Sequence, residues 1–181
     1  MKKERGLLIV SLFAVLLLAM VSSVSAEPQG PIKCDIPLMI KVHDPDDYPF
    51  IPPPYPAWIG PIEGCEIKGY IVFTHDPEYP MADFAEPGPP PPPVLVGNTY
   101  HFYELFTIYS LEGDPVIQGK DKGVLTFSNW RFHSVGAVTD TSPEWEHLMG
   151  SQYFSKGALD SPGLTLPGFA SDTTMKITPG K

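Results

Sequence analysis

One carboxylate lies in the middle of an aromatic-rich stretch near the centre of this 181-residue sequence. The stretch from residue 99 to 111 is dense in aromatic and β-branched side chains and has turn signals on both sides, so it predicts a β-strand. Alternate residues of a strand share a face. One face of this strand carries Tyr100, Phe102, Glu104, Phe106 and Ile108. We interpret this row as the candidate ligand-binding surface of the chain.

Glu104 is the member of that row with an ionisable group. If the row faces the interior of a barrel, the carboxyl loses water, and we expect its pKa to be raised. Glu104 is then the candidate catalytic acid or base, or the anchor for a polar group of a ligand. The structural alternative is a carboxylate paired with Arg131 or with a tyrosine hydroxyl, because buried carboxylates are usually paired.

Two similar turns supply a second set of candidate residues. His43-Asp44-Pro45 and His75-Asp76-Pro77 each follow a short apolar stretch. If the turns come together, imidazole and carboxylate groups could hold a divalent cation, so the candidate metal ligands are His43, Asp44, His75 and Asp76. The favoured alternative is ordinary Asp-Pro turn chemistry, because adjacent side chains of a strand diverge. No cofactor is expected.

The first 26 residues have the three-part layout of a secretory signal peptide. Lys2, Lys3 and Arg5 are followed by an apolar stretch from 6 to 21 and by Val24-Ser25-Ala26, which has small residues where a signal peptidase cleaves. The alternative is an uncleaved membrane anchor, for which the apolar stretch is short. We therefore expect a protein that is secreted or held in the cell envelope, with no membrane span after cleavage.

Cys34 and Cys65 are the two cysteines of the chain. In an oxidising compartment an even count predicts a disulfide, here one that closes a loop of about 30 residues. A thiolate metal site is disfavoured, since the two cysteines lack a close Cys-x-x-Cys spacing.

Composition divides the mature chain into regions. Residues 27–56 are a proline-rich N-terminal segment, and further prolines run from 89 to 93, so extended loops are expected there. The barrel domain is predicted over 57–165, with a C-terminal strand or tail over 166–181. Besides the stretch that contains Glu104, short strands are predicted at 116–118, 123–127, 130–138 and 151–159. One short helix is predicted between Ser142 and Gly150. The fold class is therefore all-β: an antiparallel barrel, closed or partly open, with one short helix and long proline-rich loops.

Charge and motifs exclude several functions. The formal net charge is −9, and such an acidic surface repels phosphate backbones, so no nucleic-acid partner is expected. The chain also lacks a phosphate-binding loop, a dinucleotide fingerprint and a zinc-protease helix. Ser134 and Ser142 lack the Gly-x-Ser-x-Gly setting of a hydrolase.

A set of glycine and aromatic positions resembles a known family. The positions are 58–60, 63–64, 69–73, 101–104, 119–123, 136–140 and 148–150. In order and type they resemble secreted prokaryotic proteins with an allene-oxide-cyclase-like or lipocalin-like (calycin-type) barrel. The resemblance covers roughly residues 57 to 163, and the proline insert between 79 and 94 departs from it. It implies a barrel with an interior site, and it carries no catalytic residue over to this chain.

Three functions remain. The first is a non-enzymatic secreted barrel that binds a small apolar ligand or a partner surface. The second is an enzyme of the cyclase or dirigent kind, with Glu104 as its acid or base. The third is a structural or cell-surface component that associates with itself. The sequence favours the first and does not name the ligand or the oligomeric state.

Overall fold

The computed structural model describes residues 30–42, 57–79, 95–159 and 169–180. The predicted signal peptide at 1–26 lies outside these residues, as do the proline runs and the candidate metal ligands His43 and Asp44. Among the described residues, no helix has the length and the apolar character needed to cross a membrane.

The described chain is almost entirely β-structure. Its strands are β1 (Ile32–Ile36), β2 (Met39–Val42), β3 (Ala57–Ile62), β4 (Gly69–His75), β5 (Leu95–Val96), β6 (Thr99–Tyr109), β7 (Pro115–Thr126), β8 (Arg131–Thr141), β9 (Gln152–Leu159) and β10 (Phe169–Thr178). A 3-10 helix, Pro143–Leu148, joins β8 to β9. The prediction of an all-β antiparallel fold is confirmed.

The strands form a nearly closed barrel with eight antiparallel positions. From β2 through β3, β4, β6, β7, β8 and β9 to β10, each strand pairs with the next, and β10 returns to pair with β2. The first position is shared, because β1 pairs with one end of β10 and β2 with the other. Strands at both ends of the sequence therefore take part in the barrel, and the short β5 pairs only with β6.

The described residues form three apolar clusters, and two of them receive the inward row of β6. The large cluster joins β6 and β7 through Phe106, Ile108 and Ile117 to the 3-10 helix through Leu148. The small cluster consists of Tyr100 and Leu125, with partly buried side chains packed against them: Phe102, Phe127, Phe132 and Leu159. The inward row of β6 thus begins in the small cluster and ends in the large one.

Three phenylalanine rings of the interior lie over glycines of a neighbouring strand. Phe106 is paired with Gly119, Phe102 with Gly123, and Phe132 with Gly157. A Cβ atom on any of these glycines would overlap the ring that faces it. The glycines therefore do not break the strands, since the absence of a side chain at each one leaves room for an aromatic ring. This explains why β7 runs unbroken from Pro115 to Thr126, where the sequence predicted two separate short strands.

We expect Gly123→Ala to destabilise the barrel by about 1–3 kcal/mol, because overpacked interiors must displace their neighbours. The added methyl group would meet both the ring of Phe102 and the carbonyl oxygen of His133. Urea unfolding monitored by circular dichroism measures the loss. Gly30→Ala is the control, since a Cβ at Gly30 has no atom within 4 Å. Equal stability of the two variants would contradict the packing role of Gly123.

The predicted short helix is found as the 3-10 helix. Proline follows Ser142 at its start, and acidic residues occupy its first turn. Leu148 is fully buried and Trp145 packs against the large cluster, whereas Met149, just after the helix, is exposed. The Ser142 side chain makes no capping hydrogen bond.

Candidate functional site

The structure directs the five-residue row of β6 into the barrel. Phe106 and Ile108 are fully buried in the large cluster, and Tyr100 is buried in the small one. Phe102 and Glu104, between them, are only partly buried. Phe102 and Glu104 are therefore the two members of the inward row that the described residues cover least.

Glu104 belongs to a polar layer between the two apolar clusters, which remain connected through Phe132 and Leu159 because these side chains pack against both. Its cross-strand neighbour on β7 is Asp121, which is 6% exposed. Ser134 of β8 donates a short hydrogen bond from Oγ to Asp121 Oδ2, and its Oγ lies 2.8 Å from Ser155 Oγ of β9. Because Ser134 has one hydroxyl proton, and it goes to Asp121, Ser155 donates the second bond. We call Glu104, Asp121, Ser134 and Ser155 the polar layer.

Two buried oxygens around this layer, Asp121 Oδ1 and Thr173 Oγ1, have no hydrogen-bond partner. The Tyr153 hydroxyl has Ser155 as its partner. Tyr153 is 1% exposed and its ring stacks on Phe106 with centroids 4.1 Å apart. A buried polar atom without a partner costs about 1–3 kcal/mol, so two close to one layer indicate a place where a further molecule completes the bonding.

Burial changes the acid–base properties of the layer. Desolvation raises the pKa of Glu104 well above its usual value, and the charge of Asp121 raises it further. Desolvation also raises the pKa of Asp121 to about 7, although the hydrogen bond from Ser134 lowers it. The pKa of the Tyr153 hydroxyl is raised, first by burial and then by the charge of Asp121, although a hydrogen bond with Ser155 lowers it. A proton is therefore available within the layer at neutral pH.

The ion pair that the sequence offered as an alternative for Glu104 is absent from the described residues. Arg131 is exposed at the start of β8 and makes no ion pair there. Glu104 instead faces a second acid, Asp121, which was not among the candidate residues.

The candidate metal residues on the second turn have other partners. Asp76 is buried and accepts a 3.2 Å bond from Lys120 Nζ, and its Oδ1 accepts a bond from the backbone of Glu78. His75 Nε2 donates to the carbonyl oxygen of Tyr79 at 2.6 Å. These are the contacts of an ordered turn. Among the described residues, no group of three His, Cys, Asp or Glu side chains could hold a metal ion.

The predicted Cys34–Cys65 pairing is confirmed by sulfur atoms 2.09 Å apart. The bond ties β1 to the turn between β3 and β4, next to a backbone bridge between Asp35 and Glu63. A surface hollow of about 630 Å³ lies beside it, lined by residues 30–33 and 64–66. It holds no buried polar side chain, so the polar layer remains the candidate site.

Comparisons of the chain with protein-family models, with curated proteins and with solved structures found no match. The barrel itself is compatible with a calycin-type fold. The chain is thus described by its architecture: an antiparallel β-barrel with a polar layer across its interior.

Proposed function

We propose that this chain is a binding protein whose barrel interior takes a small, mainly apolar molecule. The observation that carries the proposal is the polar layer between two apolar clusters, at the level where Phe102 and Glu104 keep exposed surface. Ligand sites are typically apolar with a few polar groups that fix orientation. The layer supplies such groups, and the small cluster supplies an aromatic wall.

A saturable interior site is tested with N-phenyl-1-naphthylamine, an uncharged probe whose fluorescence rises in apolar surroundings. We expect one probe to bind per chain. Phe102→Ala should weaken binding roughly tenfold, because an aromatic contact contributes about 1 kcal/mol or more. Tyr103→Ala is the matched control, since Tyr103 is the next residue of β6 and stacks outside the barrel on Tyr79. Linear, unsaturable binding, or an equal loss in both variants, would contradict the proposal.

The proposal includes export from the cytoplasm and a relation to calycin-type barrels. The three-part layout of residues 1–26 and the disulfide support export. The order of strands, in which each pairs with its successor around a nearly closed barrel, supports the relation to allene-oxide-cyclase-like and lipocalin-like proteins.

Acid–base catalysis in the same interior is the second candidate. It is favoured by the pKa of Asp121, raised to about 7 by burial, because a general acid or base works best when its pKa is near the ambient pH. Glu104, whose pKa is raised by burial and by the charge of Asp121, is the candidate proton donor, and Asp121 is the candidate acceptor. The binding function needs only the layer's hydrogen bonds, and it comes first for that reason.

A further inference from the structure

We infer that the ligand's polar end is an organic cation, an ammonium group held between Glu104 and Asp121 with its apolar body against the small cluster. This inference rests on the proposed function and adds the chemical class of the ligand. It is carried by three observations: the acidic pair, the lack of any Lys or Arg facing that pair among the described residues, and the two unpartnered oxygens, Asp121 Oδ1 and Thr173 Oγ1.

The polar layer contains two acids, and among the described residues no cationic side chain lies opposite them. The groups that face it are Glu104 from β6, Asp121 from β7, Ser134 from β8, Tyr153 and Ser155 from β9, and Thr173 from β10. β4 places His75 opposite Glu104, but that ring bonds to the Tyr79 carbonyl. Lysines at 120, 122 and 156 alternate with the inward residues of their strands and are exposed. Among the described side chains, no Lys or Arg faces the layer.

The hydrogen-bonding capacity of the layer fits a donor-rich group. An ammonium ion has three N–H donors and no acceptor. Asp121 Oδ1 is an acceptor without a partner, and the Tyr153 hydroxyl can accept as well. The carboxyl of Glu104 supplies the third acceptor. A carboxylate ligand would instead be repelled by the two acids, and an alcohol would bring one donor and no charge.

The apolar side of the layer fits the rest of such a molecule. Tyr100, Phe102 and Phe132 belong to the small cluster, with Phe102 and Phe132 in an edge contact at 6.4 Å. A bare inorganic cation has no apolar body to bury against these rings, whereas an alkyl or aryl amine has one. The inference therefore concerns an amphipathic amine rather than a metal ion.

Burial of the acids supports the same conclusion. Without a cation, both carboxyls retain protons more readily than in water, because desolvation disfavours their charged forms. An ammonium group between them would favour the charged forms and release protons. Binding should therefore strengthen as the pH rises from 5 to 8, while the amine itself stays charged.

Three ligands that share an eight-carbon chain and differ only in their polar group are compared: octylamine, 1-octanol and octanoate. Each is titrated calorimetrically at pH 8 in 150 mM NaCl. We expect octylamine to bind about 10- to 100-fold more tightly than octanol, as for a buried hydrogen bond to a charged group. Octanoate should bind most weakly. In Glu104→Gln/Asp121→Asn the preference for the amine over the alcohol should disappear.

The matched control is Glu112→Gln/Asp114→Asn, which removes two acids from the exposed β6–β7 turn and leaves the interior unchanged. This variant should keep the preference for the amine over the alcohol. That result would show that the preference comes from the polar layer and not from general attraction to the acidic surface. Urea unfolding checks that each variant folds, and the two single variants, Glu104→Gln and Asp121→Asn, replace the double variant if it does not.

The results distinguish the proposed binding function from the inference that the ligand's polar end is a cation. Equal affinity for amine and alcohol in the unaltered protein overturns the cationic head group and leaves the binding function in place. A preference that survives in Glu104→Gln/Asp121→Asn overturns the role of the layer. Failure of N-phenyl-1-naphthylamine and of all three octyl compounds to bind overturns the proposed function itself.

Discussion

Asp121→Asn is expected to be more stable than the unaltered protein at pH 8 and nearly equal to it at pH 4. The folded pKa of Asp121 is raised from 3.8 to about 7 by burial. Between these values the unfolded chain has lost the proton that the folded chain keeps, so stability falls as the pH rises. The contribution is complete below pH 3.8 and lost by about pH 7, and a shift of this size corresponds to roughly 4 kcal/mol.

Urea midpoints measured at several pH values between 4 and 8 test this expectation. Glu104 should extend the decline to higher pH, because its pKa is also raised by desolvation. Asp114→Asn, an exposed carboxyl in the β6–β7 turn, is the control and should follow the unaltered protein at every pH. If Asp121→Asn follows it too, Asp121 is not a desolvated acid in the folded protein.

Reduction of the Cys34–Cys65 bond should lower the free energy of unfolding by about 3–4 kcal/mol, the loop-entropy value for a separation of 31 residues. For a chain of this size the expected fall in Tm is about 10 °C. The effect should be large because, among the described residues, β1 pairs along its length only with β10, and on its other side it is attached by the Asp35–Glu63 bridge and by the disulfide.

Thermal unfolding with and without reductant provides the measurement, and mass spectrometry verifies that the bond is open. The Cys34→Ala/Cys65→Ala variant should melt near the reduced protein and be indifferent to reductant. An unchanged Tm after verified reduction would mean that β1 needs no covalent attachment.

Strand alternation made the fold class and the inward row predictable. In Thr99–Tyr109 the period of two is strong enough to fix the strand and to assign Glu104 to the interior. The pattern could not show that Gly119 lies inside a strand, because a glycine is a turn signal unless the ring that covers it is known. That ring, Phe106, comes from another strand, so the information is tertiary.

Asp121, the second acid of the pair, was not predicted, and the reason is similar. Asp121 stands between two lysines in Gly-Lys-Asp-Lys-Gly, a sequence typical of an exposed charged turn. Only the register of β7 against β6 brings Asp121 beside Glu104 and turns the lysines outward. The signal available was the alternation of Gly119, Asp121 and Gly123, which becomes meaningful once Phe106, Glu104 and Phe102 are seen opposite them.

The pairing of β10 with strands from the beginning of the chain has a consequence for the timing of folding. The ring cannot close until β10, Phe169–Thr178, has been synthesised. Before that moment β9 on one side and β1 and β2 on the other expose unpaired backbone, the condition in which sheets associate between molecules. The slow step of folding is therefore expected to be the pairing of β10 with β1 and β2, because these contacts join strands that are far apart in the sequence.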